Sequence, residues 1–147
     1  MMPYHNTHDY DGKKSGHQGI HALYESVCVG QYGPELMSQI LSRAKLIKSA
    51  PYLDSSLSVA ERMKQASKVS LPEVKLIEVI DAKVGRKDLN ELCSAFKPLI
   101  VEQSARAAVM LAQLWDEIYK KGRKPSLGKY SSYRYPFKPD FVAPDYL

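Results

Sequence analysis

The stretch "PLIVEQSARAAVMLAQLWDEIYKKG", Pro98 to Gly122, decides the fold class. It is rich in alanine, leucine and long unbranched side chains, which give up least on entering a helix. Gly122 closes it, a residue at which helices commonly stop. The helical run begins further back, at Asp88, and Pro98 is expected to end or kink it, because its ring strikes the preceding turn and it has no N–H to give.

Working back along the chain, every earlier periodic segment is also helical. "LPEVKLIEVIDAKVG" is read as a helix with Ser70 as N-cap, Glu73 at its third position and Gly85 as its stop. Ser58 and Glu61 form a capping-box pattern for the helix before it, and Pro51 to Ser56 is a break. Leu36, Met37, Ile40, Leu41, Ala44 and Ile47 repeat with helical period behind Pro34, which a first helical turn tolerates. Ile20, Leu23, Tyr24, Val27 and Gln31 trace a shorter stripe that ends near Gly30 and Gly33. The first nineteen residues are crowded with turn formers and read as loop. No alternating strand pattern and no internal repeat precedes the tail. The expectation is an all-α, bundle-like array of several helices over residues 1–122.

Residues 123–147 shift composition sharply. Pro125, Pro136, Pro139 and Pro144 forbid a helix there, while six Tyr and Phe residues argue against free disorder. An extended aromatic and proline-rich arm is expected; a Tyr and Arg strip stacking on nucleic-acid bases is the sharper alternative.

The chain has 147 residues, 44% hydrophobic and 25% charged, enough for one domain with its own core. No run approaches the roughly 18 apolar residues needed to span a bilayer, and no signal-peptide pattern opens it. A net charge of +5 suits an acidic partner such as a phosphate group, a nucleic acid or an anionic surface. Cys28 and Cys93 form no CxxC motif. They are either one disulfide, if the chain is exported, or two buried thiols.

All four histidines, His5, His8, His17 and His21, fall in the first 21 residues, with Asp9, Asp11 and Glu25 among or just after them. On a helix His21 and Glu25 project from one face, one above the other. That spacing lets an imidazole nitrogen and a carboxylate oxygen meet at one ion, although such a pair alone is more often a weak surface contact. The loop offers a third ligand from His5, His8, His17, Asp9 or Asp11. Two histidines and one carboxylate make the ligand set of catalytic zinc with one open position. Cys28, nearly on the same face, is a rival soft ligand but is expected to pack.

The order "PYH…YDG…GIHALYE" resembles the second half of the metal-binding sequence in the zinc-dependent phospholipase C and single-strand-specific nuclease superfamily, all-helical phosphodiesterases with three zinc ions. The resemblance covers about twenty-five residues and implies that His5, His21 and Glu25 hold one zinc. His8 and His17 match no ligand, and Asp11 falls in a structural turn. "ARAAVMLAQLWDEIY" is similar to the family's closing helix, so Leu111, Leu114 and Trp115 are read as packing. The family's other ligands, a His-three-residues-Asp helix, an earlier His and Asp, and a ligating N-terminal residue, have no counterpart here. The resemblance therefore implies the C-terminal half of the fold in a truncated or split form, weak or inactive alone. It further implies a phospholipid or single-stranded nucleic-acid substrate, export from the cell, and self-association or pairing with a missing N-terminal half. A non-catalytic helical binding module, with structural zinc or none, is the alternative.

Overall fold

The computed structural model describes residues 2–124 and 126. A 3₁₀ turn, Pro3–Asn6, leads through a loop to α1 (Ile20–Ala22), a π turn (Leu23–Val27) and α2 (Cys28–Ala44). A second 3₁₀ turn, Pro51–Leu53, precedes α3 (Val59–Ser70), α4 (Glu73–Val84) and α5 (Leu89–Lys121). No strand occurs among the described residues, and the all-α array stands. Apart from Arg123, Lys124 and Ser126, the expected extended arm lies outside the described residues.

Residues up to Trp115 form one compact unit, whose limit falls inside α5. Its main core is built from Tyr4, Ile20, Leu23, Tyr24, Cys28, Leu36, Ile77, Leu92, Cys93, Phe96 and Ile100. Tyr52, Ala66 and Met110 make a smaller second cluster. Cys28 and Cys93 are fully buried and joined as a disulfide that ties α2 to α5, with their Cα atoms 4.9 Å apart. In the second unit, from Asp116 onward, Lys120 pairs with Asp116 one turn back, and Gly122 donates its N–H to the Ile118 carbonyl.

The capping box is present: Ser58 Oγ accepts from the Glu61 N–H, and the Ser58 N–H donates to Glu61 Oε2. Gly85 ends α4, and Gly33 leaves helical geometry inside α2 where the stripe was expected to stop. Other expectations need correction. Residues 3–6 form a 3₁₀ turn rather than plain loop, because Pro3 fixes its start and Tyr4 is wholly buried. Val27 is not on the buried stripe. The π turn, closed by the Cys28 N–H on the Leu23 carbonyl, inserts one residue and rotates Cys28 inward in its place.

Ser70 is not an N-cap but the last residue of α3. Its hydroxyl donates to the Ser67 carbonyl, and α4 starts after Pro72, whose backbone is already helical. Helix α5 also runs on through Pro98, with Phe96 and Ile100 buried on either side, so packing offsets the lost backbone bond. Leu114 packs on the second cluster, but Leu111 and Trp115 are exposed. At 33 residues α5 is about 50 Å long against about 18 Å for the 12-residue α3 and α4.

Candidate metal centre

His5 stands on the Pro3–Asn6 turn, which is anchored on both sides of it. Tyr4 is sunk in the core, and the Asn6 carboxamide donates to the Met2 carbonyl at 3.2 Å and to Ser70 Oγ at 2.7 Å. The buried Ser70 is thus a post on α3 that fixes the turn carrying His5.

His21 and Glu25 come from α1 and the π turn that follows it. The entry to α1 is fixed by the loop before it. Gly12 has φ +69°, and a Cβ there would lie 2.7 Å from the His17 carbonyl oxygen, so only glycine closes this bend. Arg86 donates to the carbonyls of Gln18 at 2.6 Å and His17 at 3.0 Å, and to both carboxylate oxygens of Asp81. His17 Nδ1 lies 2.7 Å from Asp81 Oδ2. Burial pushes the Asp81 carboxyl upward, but the hydrogen bonds from Arg86 and His17 outweigh it and hold the group below the usual carboxylate range.

The three residues implied as ligands meet. His5 Nε2 is 3.0 Å from His21 Nε2, His21 Nε2 is 2.6 Å from Glu25 Oε2, and His5 Nε2 is 3.6 Å from Glu25 Oε2. Zinc bonds of about 2.1 Å at tetrahedral angles give ligand-to-ligand edges of roughly 3.4 Å, so the His5–Glu25 edge is near that size while the two edges at His21 are shorter, at hydrogen-bonding distance. With a proton on His21 Nε2, that nitrogen donates to Glu25 Oε2 and shares the proton with the His5 Nε2 lone pair; with both Nε2 atoms unprotonated, all three atoms present lone pairs to one point, as a bound cation would require. His5 and Glu25 are exposed, leaving the triangle accessible, while His21 is half-buried with Tyr10 edge-on to its ring at 5.7 Å.

The remaining loop residues are placed elsewhere. His8 is exposed and outside the cluster. The Asp9 carboxylate accepts from the N–H groups of Lys14 at 2.9 Å and Ser15 at 2.8 Å. The Lys14 bond foremost lowers its pKa. Asp11 gives its backbone carbonyl to the Gly19 N–H at the loop bend. His17 is bound to Asp81, and Cys28 to Cys93, which removes both from the ligand set. Sequence reasoning missed Asn6, Ser70, Asp81 and Arg86, the groups that anchor the turn carrying His5 and the loop that leads into α1.

Beside His5 lies an open groove of about 430 Å³ with a largely apolar lining that includes Met63, Ala66, Met110, Leu111 and Leu114. No helix among the described residues is long and apolar enough to cross a membrane. Comparison of the chain with protein-family models, curated proteins and solved structures gives no match.

Proposed function

We propose that this chain is a zinc-binding, phosphodiester hydrolase-like protein that supplies one metal half-site of the phospholipase C and single-strand nuclease type. The observation that carries the reading is the convergence of His5 Nε2, His21 Nε2 and Glu25 Oε2 within 3.6 Å, at the positions where the resemblance puts one zinc. The substrate class, a phosphodiester of a phospholipid or a single-stranded nucleic acid, rests on the "PYH…YDG…GIHALYE" order alone.

A zinc ion bound there supplies Lewis acidity and a water acidified toward hydroxide. The chain's own residues do the rest. His5 and His21 offer neutral nitrogen donors, and Glu25 offsets one of the ion's two positive charges. Asn6 and Arg86 fix the two ends of the ligand set, and the net charge of +5 favours approach of an anionic ester. A single ion cannot also clamp the leaving group as a multi-metal site does. Losing even one electrostatic contact of that kind costs roughly a hundred- to a thousandfold in rate.

The test is direct. Metal analysis after dialysis against trace zinc is expected to give close to one zinc per chain, and none in His21→Ala or Glu25→Ala. The isolated chain is expected to hydrolyse bis-nitrophenyl phosphate, single-stranded DNA and phosphatidylcholine no faster than a His5→Ala, His21→Ala control. Activity is expected to return with an upstream segment that carries the other ligands. Equal zinc in wild type and His21→Ala would refute the assignment.

A second reading, a non-catalytic helical module with structural zinc or none, draws support from Met37, Leu41 and Trp115, large apolar side chains that stand exposed. A tight protein partner with no metal requirement would favour it.

A further inference from the structure

A pocket of about 400 Å³ opens between the end of α2, the chain that follows it and the middle of α5, and it shares no lining residue with the metal triangle. Arg43, Glu102 and Arg106 line it. Glu102 accepts from both arginines: Arg43 gives it Nε and Nη2, and Arg106 gives it Nε at 2.8 Å. Arg106 Nη1 donates to Glu73, outside the lining, at 3.2 Å. The hydrogen bond from Arg43 foremost holds the Glu102 carboxyl below the ordinary range, so it remains an anion that fixes both guanidinium planes. Arg43 Nη1 and Arg106 Nη2 are left with no partner among the described residues. Lys48, Ser49 and Ala50 also line the pocket and lie outside any helix. None of their three N–H groups has an acceptor among the described residues.

We propose that this pocket binds the phosphoryl group of a small phosphomonoester. The proposal is independent of the metal reading. Three cations, Arg43, Lys48 and Arg106, stand against two carboxylates, Glu102 and Glu73, which leaves positive charge in surplus. The spare groups are nearly all donors: two guanidinium nitrogens, an ammonium and main-chain N–H groups. A cation or a ligand poor in acceptors would leave them unmet. They come from α2, from the connecting chain and from α5, so they approach a ligand from several sides. A carboxylate offers two oxygens in one plane, whereas a phosphomonoester offers three spread tetrahedrally, with about two negative charges at neutral pH. The planar fork of arginine matches that group edge to edge. Leu46, Ile47 and Val69 add apolar wall, and at about 30 Å³ per water the volume exceeds what a bare phosphate fills. The body of the ester, apolar like that wall, takes the remaining space.

The experiment titrates phenyl phosphate, benzoate and inorganic phosphate calorimetrically into the full chain, with a chelator present so that no metal takes part. Phenyl phosphate is expected to bind once per chain, about tenfold tighter than benzoate, which lacks the third oxygen and second charge, and about tenfold tighter than inorganic phosphate, which lacks the apolar body. Lys48→Ala and Arg43→Lys are each expected to weaken it about tenfold, the second because lysine keeps the charge and loses the fork. Lys83→Ala removes the same charge from the exposed surface of α4 and is expected to bind as wild type does. Lys48 is exposed, so its variant is expected to melt with the wild type, which separates loss of the site from loss of the fold. No saturable binding, or equal weakening in Lys83→Ala and Lys48→Ala, would overturn the site. Benzoate bound as tightly as phenyl phosphate would overturn the phosphoryl group as the group held, and inorganic phosphate bound as tightly would overturn the ester. With no metal in the titration, each of these results leaves the zinc reading untouched.

Discussion

Removing the His21 imidazole is the sharpest perturbation of the proposed metal centre, because its Nε2 is the atom that lies close to both other candidate ligands, 3.0 Å from His5 and 2.6 Å from Glu25. A ligand that binds only the folded state stabilises it by about 2.7 kcal/mol at a hundred times its dissociation constant. For a chain of 147 residues, between the small and larger domain ranges, each kcal/mol moves the melting temperature by about 3 °C. Zinc at that level is therefore expected to raise Tm by about 8 °C in the wild type. In His21→Ala two ligands remain, 3.6 Å apart, and the shift at the same zinc concentration is expected to fall below about 1 °C. Asn6→Ala keeps all three ligands but cuts the tie to Ser70. Loss of a positioning partner weakens metal binding about 10- to 100-fold, which leaves about 0.4–1.4 kcal/mol, or roughly 1–4 °C. His8→Ala is expected to keep the full shift. His17→Ala is expected to start from a lower Tm, having lost its bond to Asp81, yet to show the same zinc increment. Scanning fluorimetry with and without zinc reads all five proteins. An undiminished shift in His21→Ala, or a shift lost in His8→Ala, would refute the reasoning.

Three further outcomes follow from the fold. The protein as purified is expected to show no thiol reactive to alkylation by mass spectrometry. Cys28→Ser with Cys93→Ser is expected to lower stability by about 4 kcal/mol in urea, since the bond closes a span of 65 residues; a loss under about 1 kcal/mol would count against that cross-link. Asp81 has its pKa lowered in the folded state, so its contribution is present above the unfolded value near 3.9 and is lost as pH falls through the lower folded value. Asp81→Asn is accordingly expected to lower neutral-pH stability by about 2–3 kcal/mol, less than for a fully buried pair because Arg86 is partly exposed, and to flatten the acid limb of the pH–stability curve. An unchanged acid limb would remove Asp81 from that role. Sedimentation is expected to show association at micromolar concentration through the exposed Met37, Leu41 and Trp115, reduced in Leu41→Lys; a monomer at every concentration would show these residues to be inert.

What the sequence made legible is what short-range chemistry determines. The Ser58 and Glu61 pair, the Gly85 stop and the interruption at Gly33 each depend on residues within one turn of one another, and each is where the pattern put it. The His21 and Glu25 pairing is legible for the same reason. Ser70 and Pro98 were misplaced because tertiary contacts overrode local preference: Ser70 is taken up by Asn6, 64 residues away, and the segment around Pro98 is gripped by the core.

The π turn is a different kind of failure, and it bears directly on the centre. An ideal helical period assigns Val27 to the core and leaves Cys28 beside the stripe. One inserted residue reverses that, and nothing in "HALYESVC" announces the insertion. Glu25 sits inside the widened turn and Cys28 immediately follows it, so a single backbone irregularity holds a metal-ligand candidate and delivers a cysteine to Cys93. Helical π turns store a cost that regular winding avoids, and they persist where something beyond the helix requires them. Here two requirements coincide. The disulfide needs the inward rotation at Cys28, while Glu25 must stay on the outer face to reach His21 and His5. A regular helix cannot satisfy both, because restoring the 3.6-residue period would turn Cys28 off the core or carry Glu25 away from the two imidazoles.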